Sequence, residues 1–433
     1  MKNYPKTLKR KRLDTICQIR EELPKYTVDS KRDFTRNRKL PFETLCRTIL
    51  SMSGQSLNVE LQRQFHYDPT SATTSAFVQQ RGKLLPTVFE EILRRFIYQN
   101  RPARRWNGYT LLVVDSSRVQ IPSSIHDKAT YFNSTKDGRG YNLLHLNALY
   151  DLESQLYLDA IIQNGQEAHE SQALVELADQ SGLTEPVILI ANRGYEAYNN
   201  RAHIEQKGWK YLIRIKDKQG ILSGLRLPDA PEFDAVFRYS LSKRLTNRIR
   251  REPQKYSWLP SNVHFDYVKD ASDDLYPISF RMVRFAIKEG LYEAVITNLP
   301  ADQFPPSLLR ELYHKRWGIE TSFRDLKYTL ALTHFHAKKR PFIKHEIFSR
   351  MTLYNFASLL RLHAVFTQPK GKHLYHINAA FATHIAREFL LGFVPTTKVE
   401  PLITKFLLPV RPSQQKPRNM RVKRPASFQY RMI

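Results

Sequence analysis

Cysteine is scarce in this chain of 433 residues. The sequence contains only two, Cys17 and Cys46, and they do not have the spacing of a metal-ligand pair. This scarcity argues against a cysteine-held metal centre. Two isolated thiols suit a reducing compartment, and we interpret both as unreactive.

Long apolar runs are absent as well. No run approaches the ~20 residues needed to span a bilayer. The first residues, MKNYPKTLKRKRLD, have no apolar segment after their positive charges. We therefore expect an intracellular, cytoplasmic protein with no membrane partner.

Acidic residues are also in short supply. The chain has 41 Asp and Glu against 68 Lys and Arg, a formal net charge of +27. Because such a surface attracts polyanions, nucleic acid is the leading partner and a membrane surface the competing one. Basic residues are dense in residues 1–40, and the tail 411–433 contains no acidic residue. We expect that tail to be a poorly ordered basic arm.

The chain is long enough for two to four compact units. Residues 41–100 show the three- and four-residue apolar spacing of short helices. We assign residues 1–105 to a helical DNA-binding region with a basic arm, and a plain helical bundle fits almost as well. Residues 346–433 are expected to hold C-terminal helices and the basic tail.

The middle of the chain has the pattern of a mixed α/β core. An apolar strand carries Asp115 near its end, an antiparallel pair and a helix follow, and the short strand VILIA then leads into Asn192. This order is that of an RNase H-like core, in which the first and fourth strands are neighbours. We therefore expect Asp115 and residue 192 to lie close together.

A β-rich insertion is predicted to interrupt that core. Residues 217–290 are polar, with β-like pieces, and they separate YLIRIK from YEAVITNLP, which both have the pattern of core strands. We assign residues 106–216 to the first part of the core and residues 291–345, with Glu320, to the second. The fold class is α/β.

The segment PPSLLRELYHKRWGIETSFRDLKYTLAL predicts one amphipathic helix. At about 100° per residue, one face of roughly 60° carries four polar side chains, those of Tyr313, Arg316, Glu320 and Lys327. An adjoining apolar face can pack on the sheet. An isolated Arg and Glu four residues apart usually form a plain surface pair, but the added Tyr and Lys favour a functional role.

Phosphodiester chemistry would use these residue types together. Two divalent ions roughly 4 Å apart can activate the attacking oxygen and stabilise the leaving one, and hard cations prefer carboxylate oxygens. Asp115 and Glu320 are the natural ligands, with residue 192 completing the set. Arg316 and Lys327 could hold phosphates, and Tyr313 could bond a phosphate or stack on a displaced base.

These motifs resemble one family of enzymes. The spacing Tyr313-x2-Arg316-x3-Glu320-x6-Lys327 resembles the Tyr-Arg-Glu-Lys signature of DDE transposases of bacterial insertion sequences of the family-four type. VVDSSRVQIP resembles the block around their first catalytic Asp, and ANRGYEAYN the "DRGY" block around the second. The resemblance extends from about Phe34 to residue 392.

The resemblance implies a cut-and-paste reaction in a bacterial cytoplasm, close to the nucleoid. Such enzymes depend on Mg²⁺, for which Mn²⁺ substitutes, and two ions are expected. They cut at terminal inverted repeats, pass through a DNA hairpin and insert into target DNA as a homodimer in a synaptic complex. By position, Asp115, Asn192 and Glu320 would be the catalytic metal ligands.

The same resemblance implies DNA contacts. Tyr313, Arg316 and Lys327 would position the DNA end and its hairpin. In some relatives a Trp of the insertion takes the place of an unstacked base, and Trp258 is the only Trp in this insertion. We keep it as a DNA-binding candidate, although core packing is the interpretation we favour.

Asn192 departs from the family pattern, which has Asp there. An amide brings no charge, so we expect the chain to bind DNA but to cut it poorly or not at all. A deliberate Asp-to-Asn replacement is the explanation we favour, and decay or domestication of a mobile element is the alternative. A non-catalytic DNA-binding derivative remains the alternative function. His169 and Glu170 could lie near the site, with helix capping and surface roles as the simpler interpretation.

Overall fold

A computed structural model describes residues 3–36, 38–133, 140–216, 227–370 and 373–410. Its helices are α1 Tyr4–Glu21, α2 Phe42–Ser51, α3 Leu57–Gln64, α4 Thr74–Arg81, α5 Thr87–Asn100, α6 Glu170–Asp179, α7 Tyr198–Gln206, α8 Asn247–Arg251, α9 Pro306–Lys315, α10 Trp317–Tyr328, α11 Arg340–His363, α12 Ala379–Leu391 and α13 Thr396–Lys405. Its strands are β1 Thr110–Ile121, β2 Tyr131–Phe132, β3 Tyr141–Asp151, β4 Leu156–Asn164, β5 Val187–Ala191, β6 Lys210–Ile215, β7 Phe233–Ser242, β8 Tyr256–Trp258, β9 Leu275–Lys288, β10 Leu291–Thr297, β11 Tyr375–Ile377 and β12 Leu407–Pro409.

One mixed sheet of ten strands organises the molecule. Its order is β2-β3-β1-β5-β6-β10-β9-β7-β8, and β4 also pairs with β3. The pairs β1–β5, β5–β6 and β7–β8 are parallel, and the other pairs of this sheet are antiparallel. The mixed α/β class and the helical regions toward both ends, which we predicted from the sequence, are confirmed.

The centre of the sheet places the end of β5 beside the middle of β1. The prediction that Asp115 lies near the end of its strand is wrong, because β1 continues to Ile121 by pairing with β3. Val113 pairs with Ile190 and Val114 with Ala191, so Asp115 and Asn192 follow as neighbours. Residues 111–114 and the whole of β5 are apolar and fully buried, as expected for strands covered on both faces. The predicted adjacency of the first and fourth core strands is thus confirmed.

The strands between β6 and β10 extend the core sheet. β6 pairs directly with β10, and β9, β7 and β8 continue outward from β10. The residues between the two core strands are therefore β-rich, but their strands do not form a separate sheet. Residues 217–226, the first part of this predicted insertion, lie outside the described residues.

The basic N-terminal stretch is a packed helix. α1 contains KRKR, yet it buries an apolar stripe that includes Leu8, Ile16 and Ile19, together with Arg12. The prediction of a basic arm is wrong for residues 4–21, because apolar side chains recur there at helical spacing and dock on the helical region. The tail 411–433, predicted to be a basic arm, lies outside the described residues.

The helix that carries the four-residue signature is divided. The Arg316 N–H donates to the Tyr313 carbonyl at 3.1 Å, and the Ile319 N–H donates to the Arg316 carbonyl at 3.2 Å. Bonds of this three-residue type tighten the backbone locally, and Arg316 falls between α9 and α10. The prediction of one uninterrupted helix is therefore wrong at Arg316. The predicted apolar face is confirmed, since its members are buried: Leu312, Ile319, Phe323, Leu326 and Leu330.

Within the described residues, no helix combines the length and the apolar character required to cross a membrane.

Candidate active site

Asp115 is the centre of the site. It lies on β1 with 6% of its surface exposed. Its Oδ1 accepts hydrogen bonds from the Ser116 N–H and from Nδ2 of Asn192, both at 2.8 Å. A buried carboxylate with this many donors is held in one orientation.

Asn192 caps the short 3-10 turn Arg193–Tyr195 after β5. Its Oδ1 accepts from the Gly194 N–H at 2.6 Å, so its amide nitrogen is the atom directed at Asp115. A Cβ at position 194 would lie 2.3 Å from Oε2 of Glu170 and 3.0 Å from Oδ1 of Asn192, so a larger residue there would displace the end of the Glu170 side chain. The glycine of the RGY block therefore allows these polar groups to approach closely.

Arg316 joins the two carboxylates of the signature. Its NH1 donates to Oδ2 of Asp115 and its NH2 to Oε1 of Glu320, both at 2.9 Å. Arg316 is 7% exposed, so the attraction within these ion pairs is screened less by water than that of surface pairs, while removing the charges from water costs free energy. The local tightening of the backbone leaves Arg316 and Glu320 on the same side of the helix, as the sequence predicted.

Aromatic rings enclose the Arg316 guanidinium. Its Cζ lies 5.6 Å from the ring centres of both Tyr313 and Trp317, which is cation–π range. Nε of Arg316 and the Tyr313 hydroxyl are both buried, and the two side chains interact with each other, since Arg316 lowers the pKa of the Tyr313 phenol against the effect of burial. A phosphate oxygen could reach either atom only if the site rearranged.

Electrostatics at the site follow from its burial. Burial raises the pKa of the Asp115 carboxyl above its ordinary value of 3.8, and the Glu320 charge adds to the rise. The Ser116 N–H, Arg316 and Asn192 oppose it. Burial likewise raises the pKa of the Tyr313 phenol and lowers the pKa of the Lys327 amine, which is half-buried on α10.

The donor set does not fit a pair of divalent ions in this arrangement. Toward Asp115, residue 192 presents an N–H, and an N–H repels a cation. Arg316 already pairs with both Asp115 and Glu320 and neutralises one of their two negative charges. Among the described residues, no group of three His, Cys, Asp or Glu side chains is placed to hold a metal ion, whereas hard cations require several oxygen ligands.

A second layer of polar residues supports Asp115. The Ser116 hydroxyl donates to Oε1 of Glu170 at 2.5 Å, and the same oxygen lies 3.4 Å from Nε2 of His145. The pKa of the Glu170 carboxyl is lowered by His145, with Ser116 contributing. Glu170, which the sequence offered as a candidate near the site, does lie beside it. His169 instead caps α6, with its Nδ1 accepting a hydrogen bond from the Gln172 N–H. Ser116 and His145 were not among the site residues predicted from the sequence. Ser116 directly follows Asp115 on β1, and His145 lies on β3, which pairs with β1. These positions were the signal that could have identified them.

Trp258 lies away from this cluster of contacts, on the outermost strand β8. It is 42% exposed, so core packing, the role we favoured from the sequence, is wrong. Asp179, at the end of α6, lies 2.9 Å from Nδ1 of His203. It does not replace Asn192.

This chain is similar to known proteins in structure and in sequence. A solved structure described as a cryo-EM structure of the piggyBac transposase synaptic complex with hairpin DNA is similar over 85% of this chain and 75% of that chain. Its TM-score is 0.43 and its sequence identity 7%. No curated protein matches. The family model described as "Transposase DDE domain" matches residues 106–356, more than half of the chain. The chain belongs to the transposase DDE domain family.

Proposed function

We propose that this protein is a cut-and-paste DNA transposase of the bacterial insertion-sequence type, family four. The observation that carries the proposal is the single cluster formed by Asp115, Asn192, Arg316 and Glu320. Asp115 lies in the middle of β1 and Asn192 directly follows β5. Arg316 lies between α9 and α10, and Glu320 lies on α10, at the spacing of the signature. Membership of the transposase family supports DNA breakage and joining as the chemistry.

We propose an RNase H-like catalytic core as the scaffold. The strand order β4-β3-β1-β5-β6, with β1, β5 and β6 parallel, supports it. The proposed units are residues 1–105, 106–216, 217–290, 291–345 and 346–433. The pairing of β6 with β10 supports the division of the core around an insertion.

DNA binding at the site is assigned to three residues of the signature. The Arg316 guanidinium and the Tyr313 hydroxyl are proposed to contact a phosphate of the DNA end once DNA binding opens the site, because both are buried in this arrangement. Lys327, on the same helix, adds a positive charge. Trp258, exposed on the outer strand beyond α8 with its sequence NRIRR, suits stacking on an unpaired base.

The chain as written is proposed to be catalytically impaired. Asp at position 192 would turn a carboxylate oxygen toward Asp115, where the amide now offers an N–H. With three carboxylates the site would attract divalent ions, for which Mg²⁺ is the proposed cofactor and Mn²⁺ a substitute. Terminal inverted repeats, target DNA, a hairpin intermediate and a synaptic homodimer belong to this proposal, as does a cytoplasmic location near the nucleoid.

The second candidate is a non-catalytic DNA-binding derivative of a transposase. One observation favours it: Arg316 and Asn192 satisfy Asp115 without a metal. Restoring Asp at position 192 separates the two candidates. A derivative that has lost the reaction entirely should remain inactive after that change.

The test compares the protein with its Asn192→Asp variant. Each is incubated with a plasmid that carries the gene and its native flanking DNA, in Mg²⁺ or Mn²⁺. Double-strand breaks and hairpin ends are scored at the junctions. Breaks made by the Asn192→Asp variant at those junctions support the transposase.

A double variant, Asn192→Asp with Glu320→Gln, is the matched control. It restores one carboxylate and removes another, so it should be inactive. Cleavage by this double variant would show that the breaks come from another site or another nuclease.

A further inference from the structure

The short helix α4 presents an uncharged face to solvent. Ser75, Val78, Gln79 and Gly82 are exposed at three- and four-residue steps, while Phe77, Gln80 and Arg81 are buried beneath them. Nε2 of Gln79 donates to the Ser75 hydroxyl at 3.3 Å. The exposed face therefore carries hydrogen-bonding groups and one methyl-bearing side chain, but no charge.

A basic groove lies along one side of this helix. It has a volume of about 460 Å³ and is lined in part by Gln79 and by three cations, Arg38, Lys39 and Lys83. The ammonium of Lys39 donates to the Thr70 carbonyl at 2.6 Å. That bond fixes the position of the lysine at the mouth of the groove.

A second basic groove also borders α4. It has a volume of about 400 Å³ and is lined by Val78 and Gln79 together with Lys338 and Lys339. Since Gln79 lines both grooves, the exposed face of α4 stands between them. None of the described residues that line either groove is acidic.

A buried ion network fixes the second groove to the helical region. Glu346, which is 1% exposed, accepts from NH1 of Arg81 and from NH2 of Arg350, both at 3.1 Å. It also accepts from the His336 backbone N–H at 3.0 Å. The segment that contains Lys338 and Lys339 is thereby tied to the last residue of α4.

The same segment leads directly from the catalytic helix. Residues 329–339 join α10, which carries Glu320 and Lys327, to α11. Arg350 holds this connection through the carbonyls of Ala331, at 2.7 Å, and His334, at 2.8 Å. A ligand seated on α4 is therefore connected to the active-site helix through a braced segment.

We propose that α4 is a DNA-reading helix. Its exposed face lies in the major groove of duplex DNA, and the lysines and arginines of the two flanking grooves contact the phosphates on either side. This inference rests on the proposed function and deepens it, because it names the element that recognises the DNA substrate.

Charge and shape favour duplex DNA as the occupant. The major groove, about 12 Å wide, admits an α-helix, and phosphates line both of its edges. Gln reads adenine with two hydrogen bonds, and an apolar side chain such as Val78 can contact a thymine methyl. A membrane surface would need several exposed apolar side chains on this face, and α4 offers Val78 alone.

The experiment measures binding of the whole protein to labelled duplexes by fluorescence anisotropy over a range of salt concentrations. One set of duplexes copies the DNA on either side of the gene, and the other has the same composition in shuffled order. The phosphate variant is Arg38→Gln, Lys83→Gln and Lys339→Gln combined. The reading variant is Gln79→Ala.

Two results are expected. The phosphate variant binds both sets roughly 10- to 100-fold more weakly, and its slope of log affinity against log salt falls by about 2.7, since each contact contributes about 0.9. Gln79→Ala lowers the preference for flanking over shuffled duplex roughly tenfold, and affinity for the shuffled duplex stays the same.

The matched control is Lys288→Gln, Lys398→Gln and Lys405→Gln combined, which removes the same charge from exposed lysines outside the two grooves. Equal losses in the control and the phosphate variant, or an unchanged preference in Gln79→Ala, overturn the inference while the proposed function stands. Failure of the unmodified protein to bind any duplex overturns both. Tighter binding to single strands than to duplex also overturns the inference.

Discussion

Arg316 shows how one side chain can organise a site. Its planar guanidinium bonds Asp115 with one nitrogen and Glu320 with another, and two aromatic rings flank it. A lysine could not make both bonds in this fixed geometry. We therefore assign Arg316 the task of fixing the positions of the two carboxylates relative to each other while neutralising one of their charges.

At the residue scale, His345 makes stability depend on pH. Burial, with Arg81 nearby, lowers the pKa of its imidazole from 6.5 to about 3. The unfolded chain therefore binds a proton that the native protein does not, so stability present above pH 6.5 is lost as pH falls toward 3. Between pH 7 and pH 5, we expect His345 to account for a loss of about 2 kcal/mol.

The measurement is urea unfolding at a series of pH values for the protein and for His345→Gln. The variant should lose less stability over this range, whatever its stability at pH 7. His376→Gln, at an exposed histidine, is the control and should leave the pH dependence unchanged. Parallel curves for the protein and His345→Gln would contradict the assignment.

At the element scale, α11 protects the outer strand β4 through Asn355. The Asn355 side chain accepts from the Tyr157 N–H at 2.8 Å and donates to the Tyr157 carbonyl at 2.7 Å. Among the strands of the described residues, β4 pairs with β3 alone, and an unpaired strand edge tends to pair with other chains. The Asn355 side chain thus supplies hydrogen-bond partners for the N–H and the carbonyl of Tyr157, a buried residue on that strand edge.

Asn355→Ala should lower the free energy of unfolding by about 2–4 kcal/mol, because two buried backbone groups lose their partners. Chemical denaturation measures the change. Asn262→Ala, at an exposed asparagine, should change stability by less than about 0.5 kcal/mol. A loss at Asn355 no larger than that of the control would mean that water replaces the amide.

The elements differ in how far the sequence predicts them. β5 and the first half of β1 are apolar runs followed by a polar residue, so both strands and their adjacency could be predicted. The local tightening of the backbone at Arg316 could not, because the apolar spacing of the segment continues through it. The many basic residues of α1 made its apolar stripe hard to recognise in the sequence, although that stripe is buried against the helical region in the folded protein.

At the scale of the whole molecule, Glu346 ties the helical regions to the catalytic helix. It is surrounded by Arg81, Arg350 and His336. Burial alone would raise the pKa of its carboxyl, but the charges of Arg81 and Arg350 and the hydrogen bond with His336 hold that pKa well below the usual range. Glu346→Gln should cost about 3–5 kcal/mol, because buried cations lose their counter-charge.

Thermal and urea unfolding test this prediction. Glu43→Gln, which removes a partner of the largely exposed Arg20, is the matched control and should cost less than about 1 kcal/mol. Similar losses in the two variants would show that the buried network is not what joins the regions.

The candidate site was partly predictable for a physical reason. Strand pairing and helical spacing are local patterns, and they brought together residues 115, 192, 316 and 320. The contact of Glu170 with Ser116 depends on how α6 lies on β3 and β4, which sequence spacing does not specify.

The most direct test of the central claim, that residue 192 decides whether this protein cuts DNA, is the ratio of cleavage rates between Asn192→Asp and the unmodified protein. The substrate is the gene with its flanking DNA in Mg²⁺. We predict a ratio of about 100 or more, since even groups that only support metal ligands contribute 10- to 100-fold. Equal rates would contradict the account of Asn192, and no cleavage by either protein, with DNA binding retained, would favour the non-catalytic derivative.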